Sequence, residues 1–313
     1  YNGIRMIRTF DMVSKTRGIV PRVFSCYDEA KGGKQMKIGV VLESFRKPLS
    51  EAVAAAKALG LDGIQAYAGQ AFPFDADSGQ LAALRRFVEG EGLRFSAICG
   101  DFGCAMYYER DRAMIDREKR ILEMAKELGT NIVTTHIGVL PGTKDCVQYE
   151  SMYTVCRELA EFAKQTGGHF AVETGPERAD VLKEFLDDLG SDGVAVNLDP
   201  ANLVMCAGDD PVQAVYTLRD YIVHTHAKDG RQCRSFDTKA FYAPQYYGLQ
   251  QCGWDVIREE PLGRGGVDWK RYLNALREIG YQGFLTIERE CGEDPLKDIG
   301  DAVRFLDSYG VRE

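Results

Sequence analysis

From Met36 onward the chain repeats one unit eight times: a short β-branched or apolar run, then a longer stretch with helical spacing. The runs MKIGVVLE, DGIQAY, LRFSAIC, NIVTTH, HFAVET, GVAVNLD, YIVHTH and GFLTIE precede helical periods over 50–60, 78–91, 111–129, 147–166, 177–190, 209–219, 267–279 and 294–308. Strand followed by helix, with mostly short connections, is the pattern of a parallel sheet. Eight units exceed the five or six of a typical open sheet and predict a closed (β/α)8 barrel, the TIM-barrel architecture, as a single domain over 36–313. The boundaries have local causes. Gly60, Gly129 and Gly280 each follow a helix and precede a strand, where a left-handed C-cap is wanted. Asp209-Asp210-Pro211 reads as an N-cap with proline in the first turn. The one long connection, 227–266, separates the seventh strand from its helix and is expected to be a lid or a binding element.

Residues 1–35 stand outside this rhythm. They carry seven Lys/Arg against three Asp/Glu with no clear period, and read as an appended N-terminal extension. Across all 313 residues, 39 basic side chains against 47 acidic ones give a net charge of −8. That sign opposes a phosphate backbone, so nucleic acid is not an expected partner. The most nearly apolar stretch, 95–108, contains Asp101 and is shorter than the roughly 20 residues of a membrane span, so no membrane association is expected. Nine cysteines form no CxxC pair, which favours a reducing, cytoplasmic location over a disulfide framework or a zinc ribbon.

In a barrel of this kind the chemistry gathers at the C-terminal ends of the strands. The terminal residues of the eight runs are Glu43, Tyr67, Cys99, His136, Glu173, Asp199, His226 and Glu288. Side chains alternate along a strand, so Asp199 shares a face with Asn197, His226 with His224, and Glu288 with Thr286. These faces point into the barrel near its mouth. Glu173, Asp199, His226 and Glu288 end four consecutive strands and can converge on one point. Three carboxylates beside an imidazole would raise one another's pKa in a dry site, and a divalent cation resolves the conflict. Oxygen-rich ligation with one nitrogen favours Mn²⁺, with Mg²⁺, Co²⁺ or Zn²⁺ as alternatives. His136 is a further candidate catalytic base. Glu43, Asn202, His224, Lys228 and Arg264 are candidate substrate contacts. Of these, His224 is expected deeper than His226, and Arg264 lies in a glycine-rich stretch close to a helix N-terminus.

The runs AVETGPE (171–177), VNLDPANLVM (196–205), VHTHAKDG (223–230), PLGRGGVDW (261–269) and FLTIERE (284–290) resemble the sugar phosphate isomerase/epimerase family of xylose isomerase-like barrels. The likeness runs from Met36 to about Leu306. It implies one divalent ion held by Glu173, Asp199, His226 and Glu288, with Glu173 and Glu288 also forming the acid/base pair. It further implies a small carbohydrate substrate and a homo-oligomer. Many epimerases of the family carry a histidine three residues after the metal-binding Asp, where this chain has Asn202.

A carbon acid beside a carbonyl becomes accessible to a carboxylate base when a metal stabilises the charge on the oxygen of the resulting enediolate. Such a cage supports a metal-dependent sugar or sugar-phosphate isomerase or epimerase. It equally supports a keto-sugar lyase or dehydratase, either inosose dehydratase-like or like the large subunit of a C-glycoside deglycosidase, which would add a small second subunit. A three-zinc nuclease of the related apurinic-site type would need many histidines, and this chain has four. A sugar-binding barrel without catalysis would bind its ligand with no metal-dependent hydrogen exchange.

Overall fold

The computed structural model describes residues 35–101, 103, 106–107 and 111–312. The extension expected over 1–35 therefore lies, apart from Gln35, outside the described residues. Eight parallel strands close into a barrel: β1 (Lys37–Val41), β2 (Gly63–Tyr67), β3 (Arg94–Cys99), β4 (Ile132–Thr135), β5 (His169–Glu173), β6 (Val194–Leu198), β7 (Ile222–Ala227) and, after an inserted hairpin, β10 (Phe284–Ile287). Around the wall each strand lies beside its chain neighbour, and β1 closes on β10 with Lys37 opposite Phe284 and Val40 opposite Ile287. This is the (β/α)8 barrel that the strand-helix rhythm predicts.

The major helices are α1 (Leu49–Ala58), α2 (Ser78–Gly90), α3 (Arg112–Glu127), α4 (Val147–Thr166), α5 (Ala179–Leu189), α7 (Pro211–Thr217), α10 (Trp269–Glu278) and α11 (Pro295–Asp307), with a three-residue turn, α6 (Pro200–Asn202), directly after β6. Several of their starts carry acidic caps, at Asp77, Asp111, Asp210, Asp268 and Asp294. Asp77 and Gln80 form a reciprocal capping box at α2, while Asp210 accepts from the Val212 amide ahead of Pro211. At the other end, Gly60 and Gly129 take φ of +67° and +89°, as left-handed caps must. Leu, Ile, Val and Phe side chains on the outer strand faces and inner helix faces form one continuous core. Inside the barrel the lower layer is small and apolar, with Ala97, Ile132, Ala171 and Ala195 in one cluster. Above it the interior turns polar: Gln65, Thr134, Asn197, His224 and Thr286 are all buried.

The long connection after β7 has structure of its own. It opens with β8 (Asp229–Gln232), which pairs antiparallel with β9 (Ile257–Glu260), and between them lie the short helices α8 (Thr238–Tyr242) and α9 (Pro244–Tyr247). Buried Asp229 holds the return of this excursion. Its carboxylate accepts from the amides of Gly230, Gly263 and Val267 and from the Trp269 indole at 2.9 to 3.2 Å. A Cβ on Gly265 would come within 2.1 Å of Asp229 Oδ1, so the glycine-rich stretch is a turn wrapped around the chain's own carboxylate. Arg264, expected among the substrate contacts, lies in this turn. It is exposed, and its carbonyl accepts from Arg231.

Candidate metal centre

The tips of β5, β6, β7 and β10 bring four side chains together. Glu173, Asp199, His226 and Glu288 are all buried and each offers a ligand atom within 4.8 Å of the others. The His226 Nδ1 atom is the hub, lying 3.4 Å from Glu173 Oε1, 3.4 Å from Asp199 Oδ2 and 3.3 Å from Glu288 Oε2. Neither His226 Nδ1 nor Asp199 Oδ2 has a hydrogen-bond partner, although both are fully enclosed. Buried polar atoms without partners are costly. A divalent cation would satisfy these two and neutralise the carboxylates around them, so the donor set fits such an ion.

The remaining atoms of the four residues are fixed by neighbours, as ligand orientation requires. Asp199 caps α6: its Oδ1 accepts from the amides of Ala201 and Asn202 at 2.7 and 2.9 Å, leaving Oδ2 turned to the cluster. Glu173 receives one bond on each oxygen, from Asn202 Nδ2 at 3.1 Å and Asn197 Nδ2 at 3.0 Å. Lys228 donates to Glu288 Oε2 at 2.9 Å and also reaches Glu290. The Nε2 atom of His226 lies 3.1 Å from Gln65 Oε1. With Nε2 engaged there, Nδ1 is the ring nitrogen left to ligate an ion.

Beneath this level, His224 meets Asn197 Oδ1 at 2.8 Å through Nδ1 and the Thr286 hydroxyl at 2.8 Å through Nε2. Burial, with His226 next to it, holds His224 well below the usual imidazole range and therefore neutral. The structure thus places His224 as a prop under Asn197, away from the mouth, rather than at a substrate contact. Asn202 is placed against Glu173, and Lys228 against Glu288. Glu43 follows β1, beside β10, its Oε1 accepting from the Tyr67 amide at 3.0 Å.

His136 stands at the edge of the cluster. Its Nδ1 atom is 2.9 Å from Asp101 Oδ2, its Nε2 atom 3.6 Å from Glu173 Oε1, and its ring stacks with that of Tyr242 at 6.4 Å. Burial opposes the charged ring, but Glu173 and Asp101 outweigh it and push His136 up to about 10. The same contest is fiercer at the hub. Burial works against the charge on His226, yet Glu288, Glu173 and Asp199 hold it well above its ordinary value. Burial likewise opposes the Glu288 carboxylate, and Lys228 and His226 hold it well below the carboxylate range.

Three residues here escaped the sequence reading as site residues. Gln65 sits two positions before Tyr67, Asn197 two before Asp199, and Asp101 two after Cys99. The alternation that selected the strand ends applies equally one pleat down, where Gln65 and Asn197 lie.

The model of the xylose isomerase-like TIM barrel family matches residues 53–309. The chain belongs to that family. Within the family, an inosose dehydratase of Lacticaseibacillus casei is 26% identical over 154 residues, covering 48% of this chain and 49% of that protein. The chain thus spans about half the length of the curated relatives it matches. A xylose isomerase domain protein from Planctomyces limnophilus superposes with a TM-score of 0.72 at 25% identity, over 89% of this chain and 98% of that one. An L-ribulose 3-epimerase shares the fold, with a TM-score of 0.65 at 18% identity over 88% and 96% of the two chains. The family contains epimerases, isomerases and dehydratases, and the buried Glu/Asp/His cluster of this member can hold a divalent metal.

Proposed function

We propose that the protein is a divalent-metal-dependent enzyme of keto sugars, an isomerase or epimerase that moves a proton on a carbon next to a carbonyl. The observation that carries this reading is the enclosed meeting of three carboxylates and one imidazole, with His226 Nδ1 and Asp199 Oδ2 left without partners. When bound by Glu173, Asp199, His226 and Glu288, the ion supplies a Lewis acid that stabilises negative charge developing on a carbonyl oxygen. Mn²⁺ suits this donor set best, with Mg²⁺, Co²⁺ and Zn²⁺ as alternatives.

The chain's own residues handle the proton. Around the wall the strands run β10, β7, β6, β5, so Glu288 and Glu173 close the two ends of a four-strand arc with His226 and Asp199 between them. One carboxylate removes the proton from one face of the sugar and the other returns one to the opposite face. Glu173 receives its orientation from Asn197 and Asn202, and Glu288 from Lys228. His136, backed by Asp101, is a third proton-handling group beside Glu173. The surroundings favour a small carbohydrate as the substrate. None of the described helices is long and apolar enough to cross a membrane. We place the enzyme in the cytoplasm, on its nine cysteines without a CxxC pair, and as a homo-oligomer, on the family likeness.

A second reading is favoured by the curated relative: loss of a hydroxyl β to the carbonyl, as in a keto-sugar dehydratase. Both readings share the first proton abstraction. The test is to incubate the Mn²⁺-loaded protein in D₂O with ketohexoses, 3-keto glycosides and 2-keto-myo-inositol, following each by NMR. Deuterium gained at the carbon beside the carbonyl supports an isomerase or epimerase, and loss of water supports the dehydratase. Absence of metal-dependent exchange or elimination with every probe contradicts both.

A further inference from the structure

Among the described residues, two buried carboxyl groups outside the cluster have both oxygens enclosed and without a completed hydrogen bond: Glu118 and Glu177. They differ in what surrounds them. Glu118 lies on α3 behind the barrel wall, where a Cβ on Gly100 would come within 2.7 Å of its Oε2. Glu177, with 8% of its surface exposed, belongs to the loop that leaves β5 directly after Glu173. The same loop carries Gly175, where a Cβ would meet His136 at 3.8 Å and the Tyr242 hydroxyl at 3.9 Å. The Glu177 carboxyl interacts electrostatically with His136 and with Tyr107.

The hydroxyls on this side are already committed. Tyr107 donates to Val139 O and accepts from the Val139 amide at 2.7 Å. The Tyr242 hydroxyl pairs with Cys206 Sγ at 3.1 Å. Glu177 has the amides of Leu140 and of its own residue nearby, yet neither oxygen completes a hydrogen bond. Burial, eased in part by His136, pushes its carboxyl up to about 8, so in neutral solution it is largely a carboxylic acid with one donor and remaining acceptor capacity. A polyol hydroxyl, which also both donates and accepts, is the complementary group. A site that leaves a buried polar group open for a ligand hydroxyl discriminates strongly against analogues lacking it.

We propose that Glu177 is a specificity-determining residue that hydrogen-bonds a hydroxyl of the substrate on the His136 side of the cluster, away from Lys228. This rests on the keto-sugar reading above and deepens it. The substrate is then a polyhydroxylated ketone bearing a hydroxyl beyond those at the reacting carbons.

The test compares Glu177→Leu and Glu177→Gln with the parent, all loaded with Mg²⁺, using D-fructose, 2-keto-myo-inositol and myo-inositol as probes and measuring Kd by calorimetry. Mg²⁺ affinity is titrated separately in each protein. The proposal expects Glu177→Leu to weaken the probe that the parent binds by about ten- to hundredfold, because a ligand hydroxyl loses its buried partner. Glu177→Gln, whose amide both donates and accepts, should stay within about threefold. Mg²⁺ affinity should be unchanged in both. Parental Kd in Glu177→Leu, equal losses in Leu and Gln, or a parallel loss of Mg²⁺ affinity would each overturn it, as would failure of the parent to bind any of the three. Failure of the keto-sugar reading looks different: the parent binds a probe yet catalyses no metal-dependent exchange or elimination.

Discussion

The two halves of the barrel mouth are built on opposite principles. On the arc of β5, β6, β7 and β10 the strand tips end in ionisable groups, each fixed by a second polar residue: Asn197 and Asn202 on Glu173, Gln65 on His226, Lys228 on Glu288. On the arc of β1 to β4 the run ends are Glu43, Tyr67, Cys99 and His136, and of these His136 lies beside the cluster, 3.6 Å from Glu173. There the insertion after β7 folds over: Tyr246 of α9 meets Tyr107 edge-on at 4.8 Å, and Tyr242 of α8 stacks on His136. The first half is preorganised for charge and the second for shape. Chemistry common to a family belongs on the first, and choice of substrate on the second.

That division is open to attack from several sides. The largest effect is expected from Glu173→Gln and Glu288→Gln, each of which should cost about 10² to 10⁴ in solvent hydrogen exchange, the usual contribution of a positioned acid or base. Exchange at the parental rate in either variant removes that residue from the pair. Next comes Asn197→Ala, which touches Glu173, His224 and His226 without being a ligand. A divalent-ion titration should show affinity weakened about 10- to 100-fold, as for other residues that orient metal ligands. An unchanged affinity would mean that the ligands hold their geometry unaided.

Lys228→Met should produce a smaller shift of a different kind. The lysine and His226 keep Glu288 ionised against burial, so losing the ammonium lets the Glu288 pKa rise. Ion binding, which needs the carboxylate, should then be lost about one pH unit higher as the solution is acidified. Titrations across pH check this, and a coincident acid limb would contradict it.

An effect of another kind, on stability alone, lies outside both halves, at Glu118, whose carboxyl burial holds well above its ordinary 4.5. Below the unfolded value both states carry the proton and pH has no leverage. Above it the unfolded chain releases the proton first, so stability falls as pH rises toward the raised native value, by at most about 1.4 kcal/mol per pH unit. Glu118→Gln cannot titrate. Denaturant unfolding should show it gaining on the parent between about pH 5 and about pH 8. Parallel curves would show that Glu118 is not held neutral.

Legibility in the sequence follows the same divide. The helical period 78–91 ends one residue beyond α2, and 147–166 coincides with α4, because the Asp77 cap, the Gly167 stop and apolar spacing are local signals. The four cluster residues could be read because each terminates an apolar run, and parallel strands bring consecutive run ends together. Gln65 and Asn197 were obscured one pleat below those ends. Asp101 and Glu177 lie in loops, where no period says which way a side chain points, and their settings depend on contacts with other strands' loops. The stretch around Arg264, glycine-rich and beside a helix start, looks open to an anion in sequence, whereas Asp229, more than thirty residues earlier, already accepts from the Gly263 and Val267 amides.

The central claim is that the β5, β6, β7 and β10 tips make one cation site. It is tested most directly by titrating metal-stripped protein with Mn²⁺ and counting bound ions by electron paramagnetic resonance, in the parent and in His226→Ala. The account predicts one tightly bound ion per chain in the parent and none in the variant. Equal occupancy in the two proteins, or no tight binding in the parent, would contradict it.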